Sequence, residues 1–121
     1  MPKKILIVDD EASIVELLGA MLKKSGYDII TALDGTACLA KAAEQKPDLI
    51  ILDIVMPELD GFAVLDLLKK DEATKNIPVM LLTALIKEED LTKGLNEGAS
   101  CFISKPFSIV DVLEEIKSAI G

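Results

Sequence analysis

Short apolar runs alternate along the chain with stretches in which apolar residues recur every three or four positions. The apolar runs predict five strands, at Lys4 to Val8, Tyr27 to Ala32, Asp48 to Leu52, Pro78 to Leu82 and Cys101 to Ser104. The first strand is apolar from Ile5 to Val8, which is typical of a strand buried on both faces. Five strand-then-helix units therefore follow one another without a linker.

Each predicted strand is followed by a stretch with one apolar helical face. The first helix is predicted to end near Gly26, and its face is formed by Ile14, Leu17, Leu18, Met21 and Leu22. Ser108 can cap the last helix, whose face is formed by Ile109, Val112, Leu113, Ile116 and Ile120. The other helices are predicted after Asp34 to Thr36, from Gly61 to about Lys70, and before Gly98.

Regular alternation of strand and helix predicts an α/β fold with right-handed crossovers and a parallel sheet covered on both faces. The simplest arrangement is a flavodoxin-like, three-layer α/β/α fold with five helices and five strands in the order 2-1-3-4-5. In this order the first and third strands are neighbours. A binding site is expected beyond their carboxyl ends, where the strand order reverses.

Polar side chains follow the strands that this order brings together. Asp9 and Asp10 follow the first strand, and Asp53 follows the third. Thr83 follows the fourth strand, and Lys105 lies at the end of the fifth. We therefore expect three carboxylates, a hydroxyl and an ammonium group at one edge of the sheet.

The charges of this predicted cluster do not balance. The three carboxylates sum to a charge of about −3, against one positive charge on Lys105, and each like-charged pair costs about 3 kcal/mol at roughly 5 Å and an effective dielectric near 20. A divalent cation would cancel the excess, and oxygen ligands without His or Cys favour Mg²⁺. A carboxylate is also a nucleophile toward phosphorus, so Asp53 is a candidate to form an aspartyl phosphate. Mg²⁺ and Lys105 would screen the incoming charge.

The composition limits the classes of protein that fit. The 121 residues, half of them hydrophobic, are enough for one domain spanning residues 1–121. A net charge of −8 argues against a nucleic-acid or anionic-membrane surface. Cys38 and Cys101 are too few for a disulfide framework, and neither a signal peptide nor an apolar run of membrane-spanning length is visible. These features predict a soluble, cytoplasmic protein.

Four motifs together resemble one known family. They are "VDDE" at Val8 to Glu11, "LDIVMPELDGF" at Leu52 to Phe62, "LLTA" at Leu81 to Ala84 and "SKPF" at Ser104 to Phe107. In this order, each at a strand end, they resemble the receiver domain of two-component response regulators. The resemblance covers essentially the whole chain.

The resemblance implies a phosphoacceptor switch. Asp53 would accept a phosphoryl group from a phosphohistidine on a sensor histidine kinase or a histidine phosphotransfer protein. Asp10, Asp53 and the backbone carbonyl of Val55 would bind Mg²⁺, with Asp9 acting mainly through a metal-bound water. The phosphorylated form would then act on a downstream protein target or output domain. Such a domain transfers a phosphoryl group but is not a turnover enzyme.

The resemblance also assigns the residues that respond to the phosphoryl group. Thr83 would donate a hydrogen bond to it, and Lys105 would pair with it. Phe102 stands where the family has an aromatic side chain that turns inward when Thr83 moves. Receivers hold the peptide bond after the active-site lysine in cis, so a cis bond is predicted between Lys105 and Pro106.

Other interpretations fit part of the pattern. Asp9 or Asp10 alone could be a helix N-cap, Thr83 a strand residue and Lys105 a surface charge. A flavodoxin needs hydroxyl, glycine and backbone N–H groups where this chain has "DDEAS". Phosphatases that use an aspartyl phosphate carry a second Asp at the position of Val55. An interaction module that works without phosphorylation remains an alternative.

Two apolar residues bear on the lifetime of the phosphorylated form. In receivers, water approaches the aspartyl phosphate past the residues two positions after the acceptor and after the threonine, here Val55 and Leu85. Neither side chain can orient a water or act as a base. The sequence therefore predicts a long-lived phosphoprotein.

Overall fold

The computed structural model describes residues 2–56, 60–84 and 88–121, in which strands and helices alternate. Pro57 and Leu85, which the sequence places beside the predicted site, lie outside these residues. In chain order the elements are β1 (Lys4–Val8), α1 (Ala12–Lys24), β2 (Asp28–Ala32), α2 (Gly35–Gln45), β3 (Leu49–Asp53), α3 (Gly61–Lys70), β4 (Val79–Thr83), α4 (Glu88–Asn96), β5 (Cys101–Ser104) and α5 (Ile109–Ile120). Among the described helices, none has both the length and the apolar character needed to cross a bilayer.

All five strands form one parallel sheet in the order β2-β1-β3-β4-β5, so the predicted flavodoxin-like fold is confirmed. The register aligns the carboxyl ends of the central strands, through the pairs Val8 with Leu52, Asp53 with Leu82, and Thr83 with Ser104. Because Asp9 follows Val8 directly, it reaches the same level of the sheet as Asp53. The sheet itself thus brings the two carboxylates together.

Five strand boundaries differ by one residue from the prediction. The strand β2 begins at Asp28, β3 runs from Leu49 to Asp53 and β4 runs from Val79 to Thr83. Just before β3, the side chain of Asp48 accepts a 2.8 Å hydrogen bond from the backbone N–H of Lys4, and the backbone N–H of Asp48 donates one of 2.8 Å to the carbonyl of Lys4. Asp53 and Thr83 are therefore the last residues of their strands, and their backbones are fixed by the sheet.

The strands β1, β3 and β4 bury side chains on both faces of the sheet. Alternate residues point to opposite faces. One face packs with α2 and α3 around Leu6, Val8, Ile50, Leu52, Val79 and Leu81. The other packs with α1 and α5 around Ile5, Ile7, Leu49, Ile51, Met80 and Leu82. The charged edge therefore rests on a core that is apolar on both sides.

The helix ends agree in part with the sequence patterns. Gly26, with a φ of +100°, follows α1 as predicted. Asp60 caps α3 by accepting a 2.9 Å hydrogen bond from the backbone N–H of Ala63. Ser108 occupies the N-cap position of α5, but its side chain makes no capping hydrogen bond, so that part of the prediction is wrong.

The helix α3 begins against the backbone of the strand that carries Asp53. The backbone N–H of Gly61 donates a 3.0 Å hydrogen bond to the carbonyl of Ile54. A Cβ atom at position 61 would lie 2.3 Å from Ile54 Cα and 2.5 Å from the carbonyl oxygen of Asp53. Only glycine permits this approach, since backbone atoms cannot move aside as a flexible side chain can.

We predict that Gly61→Ala lowers the free energy of unfolding by about 1 to 3 kcal/mol, because the added methyl must separate α3 from β3. Gly19→Ala is the matched control. A Cβ atom at Gly19 would lie 3.5 Å from Ile29 Cγ2, an ordinary contact, so alanine should be neutral or stabilise the helix by up to about 1 kcal/mol. Urea unfolding measures both variants. Equal effects would contradict the close approach described at Gly61.

Candidate functional site

Two buried carboxylates lie side by side at the carboxyl ends of β1 and β3. The side chain of Asp9 is fully buried, and Asp53 is 2% exposed. In each, one oxygen accepts a hydrogen bond from the backbone N–H two residues later. These bonds are 3.0 Å from Glu11 N to Asp9 Oδ1 and 3.1 Å from Val55 N to Asp53 Oδ1. Each loop thus fixes its own carboxylate and leaves Oδ2 for other partners.

The ammonium group of Lys105 pairs with the second carboxylate oxygen of both Asp9 and Asp53. Its Nζ lies 2.8 Å from Asp9 Oδ2 and 3.3 Å from Asp53 Oδ2. The backbone N–H of Lys105 donates a 2.8 Å hydrogen bond to the carbonyl oxygen of Thr83. The peptide bond from Lys105 to Pro106 is cis, as predicted. Lys105 is therefore no solvated surface charge: it faces back across the strand ends.

Asp10 completes an oxygen cluster that could hold a cation. It is exposed, unlike Asp9, yet one carboxylate oxygen from each of Asp9, Asp10 and Asp53 lies within 4.8 Å of the others. Asp9 Oδ2 is buried, and its partner in the described part of the chain is the Lys105 ammonium group, at 2.8 Å. Three carboxylates beside the Lys105 ammonium group leave an excess of negative charge, which fits a further cation, and the all-oxygen set suits Mg²⁺.

Burial is the main influence on the acidity of Asp53. It raises the pKa of this carboxyl from 3.8 to about 6, and the charge of Asp9 acts in the same direction. The Val55 N–H and the Lys105 ammonium oppose this rise. For Lys105, burial lowers the pKa, but contact with Asp9 and the charges of both aspartates outweigh it and raise the pKa overall. At neutral pH the site therefore contains an ionised Asp53 beside a protonated lysine.

Thr83 and Phe102 border the same cavity on the β4–β5 side. Thr83 is 1% exposed, and Phe102 is half-buried. Together with Leu91, both line a cavity of about 230 Å³. The Phe102 ring packs against α4, where a Cβ atom added at Gly94 would lie only 2.5 Å from its Cζ. The ring thus occupies space on α4 that a glycine leaves open.

Val55, two residues after Asp53, is 50% exposed. Its backbone N–H is already used by Asp53. An apolar side chain beside the carboxylates fits the predicted restriction on water. The second residue of that prediction, Leu85, lies outside the described residues.

Glu11 is a site residue to which the sequence reasoning gave no role. Its Oε1 lies 3.5 Å from Lys105 Nζ. The available signal was its position as the third consecutive acid after β1. The pattern did not indicate that this side chain would turn toward the lysine.

Comparison with known proteins agrees with the geometry. The model of the response regulator receiver domain family matches residues 5–117. The chain belongs to this family. It is 47% identical over 120 residues to the alkaline phosphatase synthesis transcriptional regulatory protein PhoP of Bacillus subtilis, covering 99% of this chain and 49% of that protein. It is 45% identical to the response regulator PleD of Caulobacter vibrioides over 98% of this chain and 26% of that protein.

A solved structure of the chemotaxis protein CheY4 of Vibrio cholerae superimposes on the receiver domain with a TM-score of 0.94 at 32% identity. That match covers 98% of this chain and 99% of the other. The chain therefore spans all of this structural neighbour but half or less of PhoP and PleD. As a receiver domain it is a signalling domain, a phosphoacceptor switch of two-component systems, and such domains act between histidine kinases and output domains.

Because the pKa of Asp53 is raised, we predict that the free energy of unfolding of the metal-free protein depends on pH. The folded state binds this proton more tightly than the unfolded chain, so stability falls as the pH rises from about 4 to about 6, and the full cost remains above that range. Asp53→Asn removes the cost. In EDTA at pH 7 the variant should be more stable than the wild type by about 1 to 3 kcal/mol. Urea unfolding from pH 4 to 8 measures this difference, and a difference that stays constant over that range would contradict the assignment.

Proposed function

We propose that Asp53 is the phosphoacceptor of this receiver domain. One carboxylate oxygen of Asp53 attacks the phosphorus of a phosphohistidine, forming a new O–P bond. The N–P bond breaks, and its electron pair stays on the imidazole, which takes up a proton. The observation that carries the proposal is the fixed, buried carboxylate, held by Val55 N–H at 3.1 Å on one oxygen and by Lys105 Nζ at 3.3 Å on the other.

In the proposed site Mg²⁺ is held by Asp9, Asp10, Asp53 and the backbone carbonyl of Val55, with Asp9 reached mainly through water. When bound, the cation supplies positive charge that the four-residue set of Asp9, Asp10, Asp53 and Lys105 lacks. The support is the mutual distance of the aspartate oxygens, within 4.8 Å, and the excess of these three carboxylates over the Lys105 ammonium group.

Lys105 and Thr83 respond to the phosphoryl group in this proposal. The ammonium group moves from Asp53 to a phosphoryl oxygen, and the Thr83 hydroxyl donates a hydrogen bond to another. Phe102 then changes position together with Thr83. The two side chains line the same cavity, and β5 is paired with β4 both at Ser104 with Thr83 and at Phe102 with Leu81. Because the Phe102 ring packs on Gly94, a movement of this ring would alter the packing of α4.

The proposed partners are a sensor histidine kinase or a histidine phosphotransfer protein as donor, and a downstream protein or output domain as target. These 121 residues contain no histidine, so the donor histidine lies outside this domain. Because the net charge is −8, we propose that this domain itself binds neither nucleic acid nor membrane. We place the exchange in the cytoplasm. An interaction module without phosphorylation is less favoured, since such a module has no need of the complete acidic site.

The decisive experiment is incubation with acetyl phosphate and Mg²⁺, followed by intact-mass measurement. The wild type should gain one phosphoryl group, and Asp53→Asn should gain none. Asp66→Asn is the matched control, because Asp66 is a surface acid on α3 that pairs with Lys70 at 2.9 Å. It should be phosphorylated like the wild type. Phosphorylation of Asp53→Asn at the wild-type level would contradict the proposal.

The metal site predicts a stabilising response to Mg²⁺. Millimolar Mg²⁺ should raise the melting temperature of the wild type, because it neutralises adjacent carboxylates. Asp10→Asn should raise the melting temperature in EDTA, since it removes one like charge, and should abolish the response to Mg²⁺. Differential scanning calorimetry measures both effects. An unchanged wild-type melting curve on adding Mg²⁺ would count against the site.

The apolar side chain of Val55 predicts slow loss of the phosphoryl group. A positioned polar side chain can accelerate a reaction of this kind about a hundredfold or more. Replacing Val55 by Asn together with Leu85 by Glu should therefore shorten the phosphoprotein lifetime. The measurement follows the phosphorylated mass after removal of the donor, with Asp66→Asn again as control. Equal decay of the double variant and the wild type would show that these residues do not set the lifetime.

A further inference from the structure

The active-site lysine has a third carboxylate partner that the acceptor chemistry does not require. Glu11 Oε1 lies 3.5 Å from Lys105 Nζ. Glu11 occupies the N-cap position of α1, where Ser, Thr, Asp and Asn are the usual capping residues, and its longer side chain makes no capping hydrogen bond. Its carboxylate lies toward the lysine.

The three partners of Lys105 differ in how firmly they are held. Asp9 is fully buried and 2.8 Å away, and Asp53 is nearly buried at 3.3 Å. The Glu11 side chain is 60% exposed and 3.5 Å away. An exposed ion pair is weak because water screens it and the side chain is free to move. Glu11 is therefore the partner that Lys105 can give up most easily.

We propose that Glu11 is a positioning residue that holds the Lys105 ammonium group in the resting site and competes for it with the phosphoryl group. This proposal rests on Asp53 being the acceptor. When a phosphoryl group is attached to Asp53, its oxygens draw Lys105 Nζ away from the rim, and the contact with Glu11 breaks. The exposed contact with Glu11 is given up first, while the buried contact with Asp9 persists.

Glu11 also adds to the charge that an incoming anion meets. With Asp9, Asp10 and Asp53 it makes four carboxylates in a described site that has one ammonium group, and three of the four contact that group. Removing the Glu11 charge should therefore favour binding of a phosphoryl-like anion in two ways: less repulsion and a more available lysine. The effect should be modest, about two- to fivefold, because the pair is exposed.

The test uses beryllofluoride, a phosphoryl analogue that binds without being transferred, at saturating Mg²⁺. Its half-saturating concentration is read from the bound ¹⁹F signal. Glu11→Gln should lower this concentration about two- to fivefold at low salt, and the gain should shrink near 1 M salt, where charges are screened within about 3 Å. Glu16→Gln is the matched control: it removes the same charge from an exposed position on α1 and should change the concentration less.

A double-mutant cycle shows whether Glu11 acts through the lysine. In a Lys105→Met background, Glu11→Gln should give a clearly smaller gain than it gives with Lys105 present. The proposal is overturned if Glu11→Gln binds beryllofluoride like the wild type, or if its gain is undiminished in the Lys105→Met background. Failure of the wild type to bind beryllofluoride at all would instead defeat the proposed acceptor function, and this inference with it.

Discussion

Two carboxylates buried at one sheet edge need a cation between them, and Lys105 provides it. Removing a charge from water costs several kcal/mol unless partners replace the solvent. Asp9 and Asp53 each have a backbone N–H on one oxygen and the Lys105 ammonium on the other, at 2.8 and 3.3 Å. With Asp10 beside them, the arrangement still leaves an excess of negative charge. That imbalance makes the site ready for a divalent cation and an electrophilic phosphorus.

The sheet makes this arrangement rigid. Asp53 and Thr83 end their strands within the ladder, and Lys105 donates its backbone N–H to the carbonyl of Thr83 at 2.8 Å. The ends of β1, β3 and β5 therefore fix the backbone positions of Asp9, Asp53 and Lys105. Their interiors are apolar on both faces, so the unfavourable polar edge is supported by burial on either side. Natural proteins commonly place such local conflicts at functional sites and compensate for them elsewhere.

Much of this could be predicted from the sequence, because strand order and strand ends are properties of the pattern. Apolar runs and helical faces led to the 2-1-3-4-5 sheet, and the residues after each run led to Asp9, Asp53, Thr83 and Lys105. Other features depend on the tertiary structure. Asp9 and Asp10 are adjacent and identical, yet one is buried and the other exposed, because the turn after β1 decides which carboxylate points inward.

The direction in which an exposed side chain points also cannot be predicted from the sequence pattern. Ser108 has the residue type of a cap but makes no capping bond, while Glu11 turns to Lys105 instead of capping α1. The approach of Phe102 to Gly94 likewise depends on how α4 lies on the sheet.

One lysine thus links the chemistry to the rest of the fold. Its ammonium group is shared among three carboxylates, and its backbone is bonded to Thr83, whose strand partner Ser104 lies two residues beyond Phe102. A ligand can shift a conformational equilibrium only by binding one state better than another. In the proposed switch, a phosphoryl group on Asp53 meets that condition, because it changes which anion the lysine prefers. The resulting change begins at β4 and β5, which also border the cavity beside Phe102. The physical basis of the signal is then the redistribution of one positive charge among competing anions.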